Sequence, residues 1–193
     1  MFAADTAGLM QALGIEHAHI AGASLGGLVA QEFALTRPQM LDKMVLAATA
    51  PKRPSPRLRD LFSILKTMRR TGDPATDIRK SFELFTTPEW FAANDDVVQQ
   101  YVDWRVSHPQ PPYAYNRQQE ATKTFNAEDR VGQIKAPTLI LHGTEDRVVP
   151  VSYGKWLEQH IPGSQLALIR AGHAVNIEQY EWFNSKIVDF LNN

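Results

Sequence analysis

Three short stretches carry residue types capable of nucleophilic chemistry: Gly22-Ala23-Ser24-Leu25-Gly26, Glu145-Asp146-Arg147 and Ala171-Gly172-His173-Ala174. A serine hydroxyl attacks a carbonyl only when a base takes its proton. An imidazole serves as that base when a carboxylate fixes its tautomer and stabilises its cation. The first stretch has the G-x-S-x-G form of a nucleophile elbow, in which the serine occupies a strained, positive-φ turn between a strand and a helix. Gly22 and Gly26 lack a Cβ, so the strand and the outgoing helix can approach closely. The free N–H groups at the helix N-terminus then point to where an oxyanion would form. With Gly and Ser each at roughly 7% of residues, the bare pattern arises by chance in about one chain of this length in fifteen, so its setting must decide.

That setting is favourable. His19 to Ala23 is a short apolar run that reads as a buried strand, and Leu25 to about Arg37 is helical, with Leu28, Val29 and Phe33 at helical spacing and Pro38 as the stop. Phe2 to Leu13 reads as an amphipathic helix carrying Leu9, Met10 and Leu13, closed by Gly14. Lys43 to Ala48, Pro137 to Gly143 and Gln165 to Arg170 read as further buried strands, with helices over Val151–His160 and Ile177–Leu191. Strands alternating with helices imply right-handed crossovers and a parallel sheet. Between the second and third strands the alternation stops. After Pro51, Pro54 and Pro56, everything from Arg57 to about Phe125 looks helical. One stripe is Leu61, Ile64, Leu65 and Met68; helices follow from Asp73-Pro74, from Thr87-Pro88, over Val97 to Arg105, and after Pro111-Pro112. The aromatics here, Phe82, Phe85, Trp90, Phe91 and Tyr101, are expected mainly in a core, although such an insertion can also shape a substrate cavity.

In parallel α/β folds, functional groups gather beyond the carboxyl ends of the strands. Ser24 follows the first strand, Asp146 the third and His173 the fourth, in the chain order Ser, Asp, His of α/β-hydrolases. Each has a competitor or a plainer role. Asp146 could be a loop carboxylate paired with Arg147, and Glu145 is its neighbour; His173 could be a packing or capping histidine. The other histidines fit less well. His17 and His19 sit at the entering end of the first strand, His108 lies in the helical insertion, His142 is expected beneath the acid loop, and His160 ends a helix. No spacing of these groups suggests a metal site, and the chemistry calls for no cofactor.

With 193 residues, one domain with one insertion is the natural expectation, and 44% hydrophobic content is that of an ordinary globular protein. A net charge of −1 gives no reason to expect a nucleic acid or a membrane as partner. The locally basic stretch Lys52 to Lys80 reads as solvated helix faces. The absence of cysteine excludes disulfides, thiol catalysis and thiolate metal sites. Neither a signal peptide nor an apolar run of transmembrane length is visible, so a cytoplasmic location is expected.

Taken together, these motifs resemble the α/β-hydrolase family, in its small esterase, enol-lactonase and haloperoxidase-like branch. Gly22–Gly27 resembles the family's elbow, Ala136–Gly143 with Asp146 and Val149-Pro150 its acid strand, and Gly172-His173 its histidine loop. The resemblance implies an α/β fold: a sheet of about four parallel strands flanked by helices, with a core of residues 1–50 and 127–193 and a helical cap at 51–126. It implies hydrolysis of a small carboxylic ester or lactone by Ser24, His173 and Asp146, or C–C bond hydrolysis or perhydrolysis on the same residues. In the family four strands and a His-Gly oxyanion loop precede the elbow strand; here the chain begins in the helix just before it. The backbone N–H of Leu25 is then the identifiable oxyanion donor, and His17 to Ala23 is expected to form a sheet edge. The expectation is a longer native chain, a complex with the missing piece, or self-association through that edge, with a weakly active or non-catalytic fragment as the alternative to an enzyme.

Overall fold

The computed structural model describes residues 1–53 and 71–193. The expected stripe Leu61, Ile64, Leu65 and Met68 lies outside the described residues. Helix α1 (Phe2–Ala12) leads to strand β1 (Ala18–Ala23), helix α2 (Leu25–Thr36) and strand β2 (Leu41–Ala47). The turn after α1 passes through Gly14 at φ 68°, a conformation that costs glycine little. β2 begins two residues before the expected Lys43, because a 3-10 turn, Pro38–Met40, delivers Leu41 directly to the sheet.

The helical insertion follows, with described helices α3 (Pro74–Phe85), α4 (Pro88–Ala93), α5 (Asp95–Ser107) and α6 (Pro112–Lys123). Sequence chemistry sets their starts. The Asp73 side chain accepts the Thr76 N–H and the Thr87 hydroxyl accepts the Trp90 N–H, each with proline at the first helical position. Phe82, Val98 and Val102 are fully buried among Tyr101, Trp90 and Phe91, and the Phe82 ring stacks on Tyr101 at 4.3 Å between centroids. These aromatics form the insertion's own core. At its neck Lys52 bridges Asn126, and the Ala127 N–H donates to the Pro51 carbonyl at 2.8 Å.

The chain then re-enters the sheet as β3 (Thr138–Gly143), continues into α7 (Val151–His160) and β4 (Gln165–Ile169), and ends in α8 (Val175–Glu178) and α9 (Tyr180–Asn192). The C-terminal helix expected as one piece from Ile177 is thus two, parted at Gln179 (φ −130°, ψ 44°). The two pieces have different partners: α8 caps the loop after β4, while α9 lies along the sheet.

The four strands are parallel in the order β1-β2-β3-β4. Alternation along β2 and β3 divides the core. Met44, Leu46 and Ile140 face α1, α2 and α7, packing around Phe33 and Leu157, whereas Val45, Leu139 and Leu141 face Trp182, Phe183, Ile187 and Phe190 of α9. Full burial of a side chain such as Phe33 contributes roughly 2–3 kcal/mol. Among the described residues β1 pairs with β2 alone, so its other side is a sheet edge. Along that edge runs a groove of about 630 Å³ lined mainly by Phe2, Leu9, Ile20, Val29 and Phe33, with Leu25 and Gly26 in its wall. Among the described residues no helix is long and apolar enough to cross a membrane.

The close approach of β1 and α2 yields a test. A Cβ on Gly22 would stand 2.2 Å from the Gly26 carbonyl oxygen, whereas one on Gly163, at φ 67°, would meet open space. Gly22→Ala should therefore cost on the order of 3 kcal/mol by overpacking, and Gly163→Ala only about 1 kcal/mol of backbone strain. Urea unfolding of the two variants measures the contrast. Equal losses would show that the β1–α2 turn is not held tightly.

Candidate active site

Ser24 sits where β1 becomes α2, at φ 52° and ψ −115°. For a residue with a Cβ this is a strained conformation, and neighbouring hydrogen bonds hold it in place. The Ser24 N–H donates to the Ala47 carbonyl at 2.9 Å, and its own carbonyl accepts the Gly27 N–H at 3.0 Å and the Thr49 hydroxyl at 2.8 Å. Gly27 is obligatory beside that threonine, because a Cβ there would lie 2.5 Å from the Thr49 side chain. A second strained residue, Ala48 at φ 45°, turns β2 so that Thr49 reaches the elbow. Leu25, as the first residue of α2, has a backbone N–H without an intrahelical acceptor, beside the Ser24 hydroxyl.

Asp146 lies in the turn after β3, with a side chain that has no solvent exposure. Its Oδ1 accepts the N–H groups of Val148 and Val149, both at 2.8 Å, and its Oδ2 accepts from His173 Nδ1 at 2.8 Å. Burial raises the pKa of this carboxylate. Hydrogen bonds from His142 and His173, the positive charge of His173 when it is protonated, and the Val149 N–H outweigh burial and hold it at about 2. An ionised carboxylate can only accept, so His173 Nδ1 carries the proton and Nε2 presents its lone pair. That nitrogen is 3.0 Å from Ser24 Oγ. The three groups proposed from the sequence thus form one continuous hydrogen-bonded relay.

The competitors are engaged elsewhere. Glu145 pairs with Arg170 at 2.6 Å, and Arg147 donates to the carbonyls of Glu83 and Thr86 rather than to Asp146. His142 is fully buried, and its Nε2 stands 2.8 Å from the Val149 carbonyl and 3.4 Å from Asp146 Oδ2. It therefore braces the acid loop from beneath. His17, His108 and His160 are exposed, and His19 lines the groove along β1. Among the described residues no group of three or more His, Asp and Glu side chains is placed to hold a metal ion. The role of Thr49 escaped the sequence reading. Its signal was faint, a single polar residue within the apolar run Met44–Ala50.

Comparison with known proteins identifies the family. The alpha/beta hydrolase fold family model matches residues 1–180, and the chain belongs to the α/β-hydrolase family. Its relatives there are enzymes. RutD, a candidate carbamate hydrolase of Stutzerimonas stutzeri (strain A1501), is 30% identical over 184 residues, spanning 95% of this chain and 69% of RutD. The 2-hydroxy-6-oxononadienedioate/2-hydroxy-6-oxononatrienedioate hydrolase of Paraburkholderia xenovorans (strain LB400) is 33% identical over 190 residues, 95% of this chain and 65% of that protein. Among solved structures, the enol-lactonase of Burkholderia xenovorans LB400 superposes with a TM-score of 0.85 at 26% identity, covering 99% of this chain and 72% of that one.

The depressed Asp146 value fixes an acid dependence. The carboxyl titrates near 3.9 when unfolded and at about 2 when folded. Its ionised form therefore adds stability above about pH 4, on the order of 2 kcal/mol, which is lost as the pH falls from 4 through 2. Urea unfolding at pH 7 and pH 3 should show a shallower loss in Asp146→Asn than in the wild type. An unchanged pH slope in the variant would contradict the assigned interactions.

Proposed function

We propose that the chain is a serine hydrolase acting on a small carboxylic ester or lactone through an acyl-enzyme on Ser24. The observation that carries this reading is the relay itself: Ser24 Oγ to His173 Nε2 at 3.0 Å and His173 Nδ1 to Asp146 at 2.8 Å, with the serine held at positive φ on a helix N-terminus. In this scheme Ser24 Oγ attacks the carbonyl carbon while His173 Nε2 takes its proton. The Leu25 N–H donates to the developing oxyanion. His173 returns the proton to the leaving oxygen, then activates a water that releases the acid. Asp146 remains ionised throughout. The scheme uses no cofactor, metal, nucleic acid or membrane. The insertion, residues 51–126, is proposed as the cap over a core of 1–50 and 127–193. The likeness to an enol-lactonase supports the ester or lactone class, while the oxononadienedioate hydrolase keeps C–C bond cleavage open on the same triad.

A second reading rests on the edge of β1. One oxyanion N–H is identified, and removal of one such donor costs about 10²–10³ in kcat. On this reading the chain turns over weakly until a further strand-bearing segment, or a second copy, covers the edge. Light scattering together with p-nitrophenyl acetate turnover separates the two: a monodisperse monomer with full turnover excludes the second.

Two substitution series test the chemistry. A fluorophosphonate should label Ser24, and Ser24→Ala should abolish labelling; labelling that survives would remove Ser24 from the scheme. Asp146→Asn should lower kcat by about 10⁴-fold with the fold intact, whereas Glu145→Gln should do far less. A reversal of those two effects would identify Glu145 as the orienting acid.

A further inference from the structure

Glu178 ends α8 and is buried, 8% exposed, within the stretch Ile177–Leu191 that the sequence reads as one helix. Three donors converge on its carboxylate. Oε1 accepts the Gly172 N–H at 2.6 Å, and Oε2 accepts the Thr87 N–H at 3.1 Å and the Thr87 hydroxyl at 2.7 Å. Gly172 precedes His173, and Thr87 is the cap residue of α4 at the foot of the insertion. On the other side of His173, the Ala174 N–H donates to the Phe85 carbonyl at 2.7 Å. The Phe85 ring lies 5.5 Å from the imidazole. Both residues flanking the histidine are therefore tied to the turn 85–87, one of them through Glu178. Space at this junction is used up, since a Cβ on Gly172 would stand 2.7 Å from the Phe85 carbonyl and 2.9 Å from Glu178 Oε1. The same foot also holds the acid loop, because Arg147, next to Asp146, donates to the carbonyls of Glu83 and Thr86 at 2.5 and 2.8 Å.

We propose that Glu178 is a positioning residue that fastens the histidine loop to the foot of the insertion, so that the seating of His173 against Ser24 depends on how the insertion is seated. A carboxylate suits this task. Removing one from water is expensive unless several donors compensate, and here each oxygen bonds to a different structural unit. A neutral amide would offer one acceptor oxygen and turn an N–H₂ toward an N–H or hydroxyl donor, breaking one side of the tie. Ligand contacts that shift the insertion are thereby transmitted to the imidazole through a short covalent and hydrogen-bonded path. A displacement of about 1 Å at a reacting group costs on the order of 10² in rate, so a small loosening is measurable.

The activity arm of the test rests on the proposed serine chemistry; a second arm does not. Glu178→Gln and Thr87→Val are compared with the wild type by urea unfolding, by the rate of fluorophosphonate labelling of Ser24, and by the far-downfield proton resonance of His173 Nδ1–H bonded to Asp146. Glu178→Gln is expected to remain folded, to label about 10- to 100-fold more slowly and to show that resonance broadened by exchange. Hydrolysis of p-nitrophenyl acetate should fall in kcat with little change in KM. Thr87→Val, which keeps the Thr87 N–H, should show a smaller effect in the same direction, and the double variant should be no worse than Glu178→Gln alone. A Glu178→Gln protein that is less stable yet labels at the wild-type rate with an undisturbed resonance would reduce Glu178 to a packing role and overturn the proposal. If Glu178→Gln does not fold, Thr87→Val decides: wild-type labelling and resonance in that variant overturn the proposal. If the wild type itself fails to label, the serine chemistry is refuted, while the His173 resonance in the variants still decides the role of Glu178.

Discussion

The backbone at Ser24 holds a conformation that a side-chain-bearing residue rarely adopts, and the structure around it is arranged to keep it there. Its N–H is claimed by Ala47 of β2 and its carbonyl by Thr49, two residues beyond that strand, so the turn cannot relax without breaking those hydrogen bonds. The glycine at 22 and the Gly27–Thr49 contact leave no room for an alternative path. The elbow sits against β2, which is itself fixed by the burial of Met44 and Leu46 and by its pairing with β3. Ala48, also at positive φ, places a second such residue in the adjoining turn.

Electrostatics complete what the strain begins. A carboxylate with no exposed side-chain surface would protonate if burial acted alone; two backbone N–H groups and two imidazoles keep it charged. The consequence runs outward by simple bookkeeping of protons. Because Asp146 can only accept, His173 must donate through Nδ1, and because Nδ1 is so used, Nε2 faces Ser24 as an acceptor. His142 contributes from below to the same Oδ2 at the longer distance of 3.4 Å, while its Nε2–H donates chiefly to the Val149 carbonyl at 2.8 Å.

The sequence made legible those features that depend on local pattern. Apolar runs bounded by glycine and proline gave all four strands within two residues, and the capping pairs Asp73-Pro74 and Thr87-Pro88 gave the starts of two insertion helices. The relay was legible for a related reason. Its members lie just past strand ends, and a parallel sheet brings such positions together whatever the intervening loops do. Features that depend on contacts between distant residues were not legible. Nothing local marks Thr49 as the residue that receives the elbow, or Glu178 as buried, because their partners lie 25 and 91 residues away. The break at Gln179 was hidden for the same reason, since the helical period continues through it while the tertiary partners of α8 and α9 change.

Strain at the elbow and the ties at the insertion's foot place opposite demands on the two ends of the relay. Ser24 is fixed by the sheet, whose strands are bound to one another along their length. His173 is carried on a loop whose flanking residues reach the insertion at the turn 85–87, Ala174 directly and Gly172 through Glu178. The distance between Ser24 Oγ and His173 Nε2 therefore depends on both parts: the sheet holds the serine backbone, and the insertion, through the turn 85–87, helps hold the histidine loop. The two meet at the neck formed by Lys52, Asn126, Pro51 and Ala127, and again at the turn 85–87. The turn 85–87 is the contact through which the insertion reaches the histidine loop. Under the proposed serine chemistry, substrate contacts with the insertion would reach His173 through the turn 85–87 and Glu178, whereas Ser24 is held by β2, so the imidazole is the end of the relay that such contacts can align.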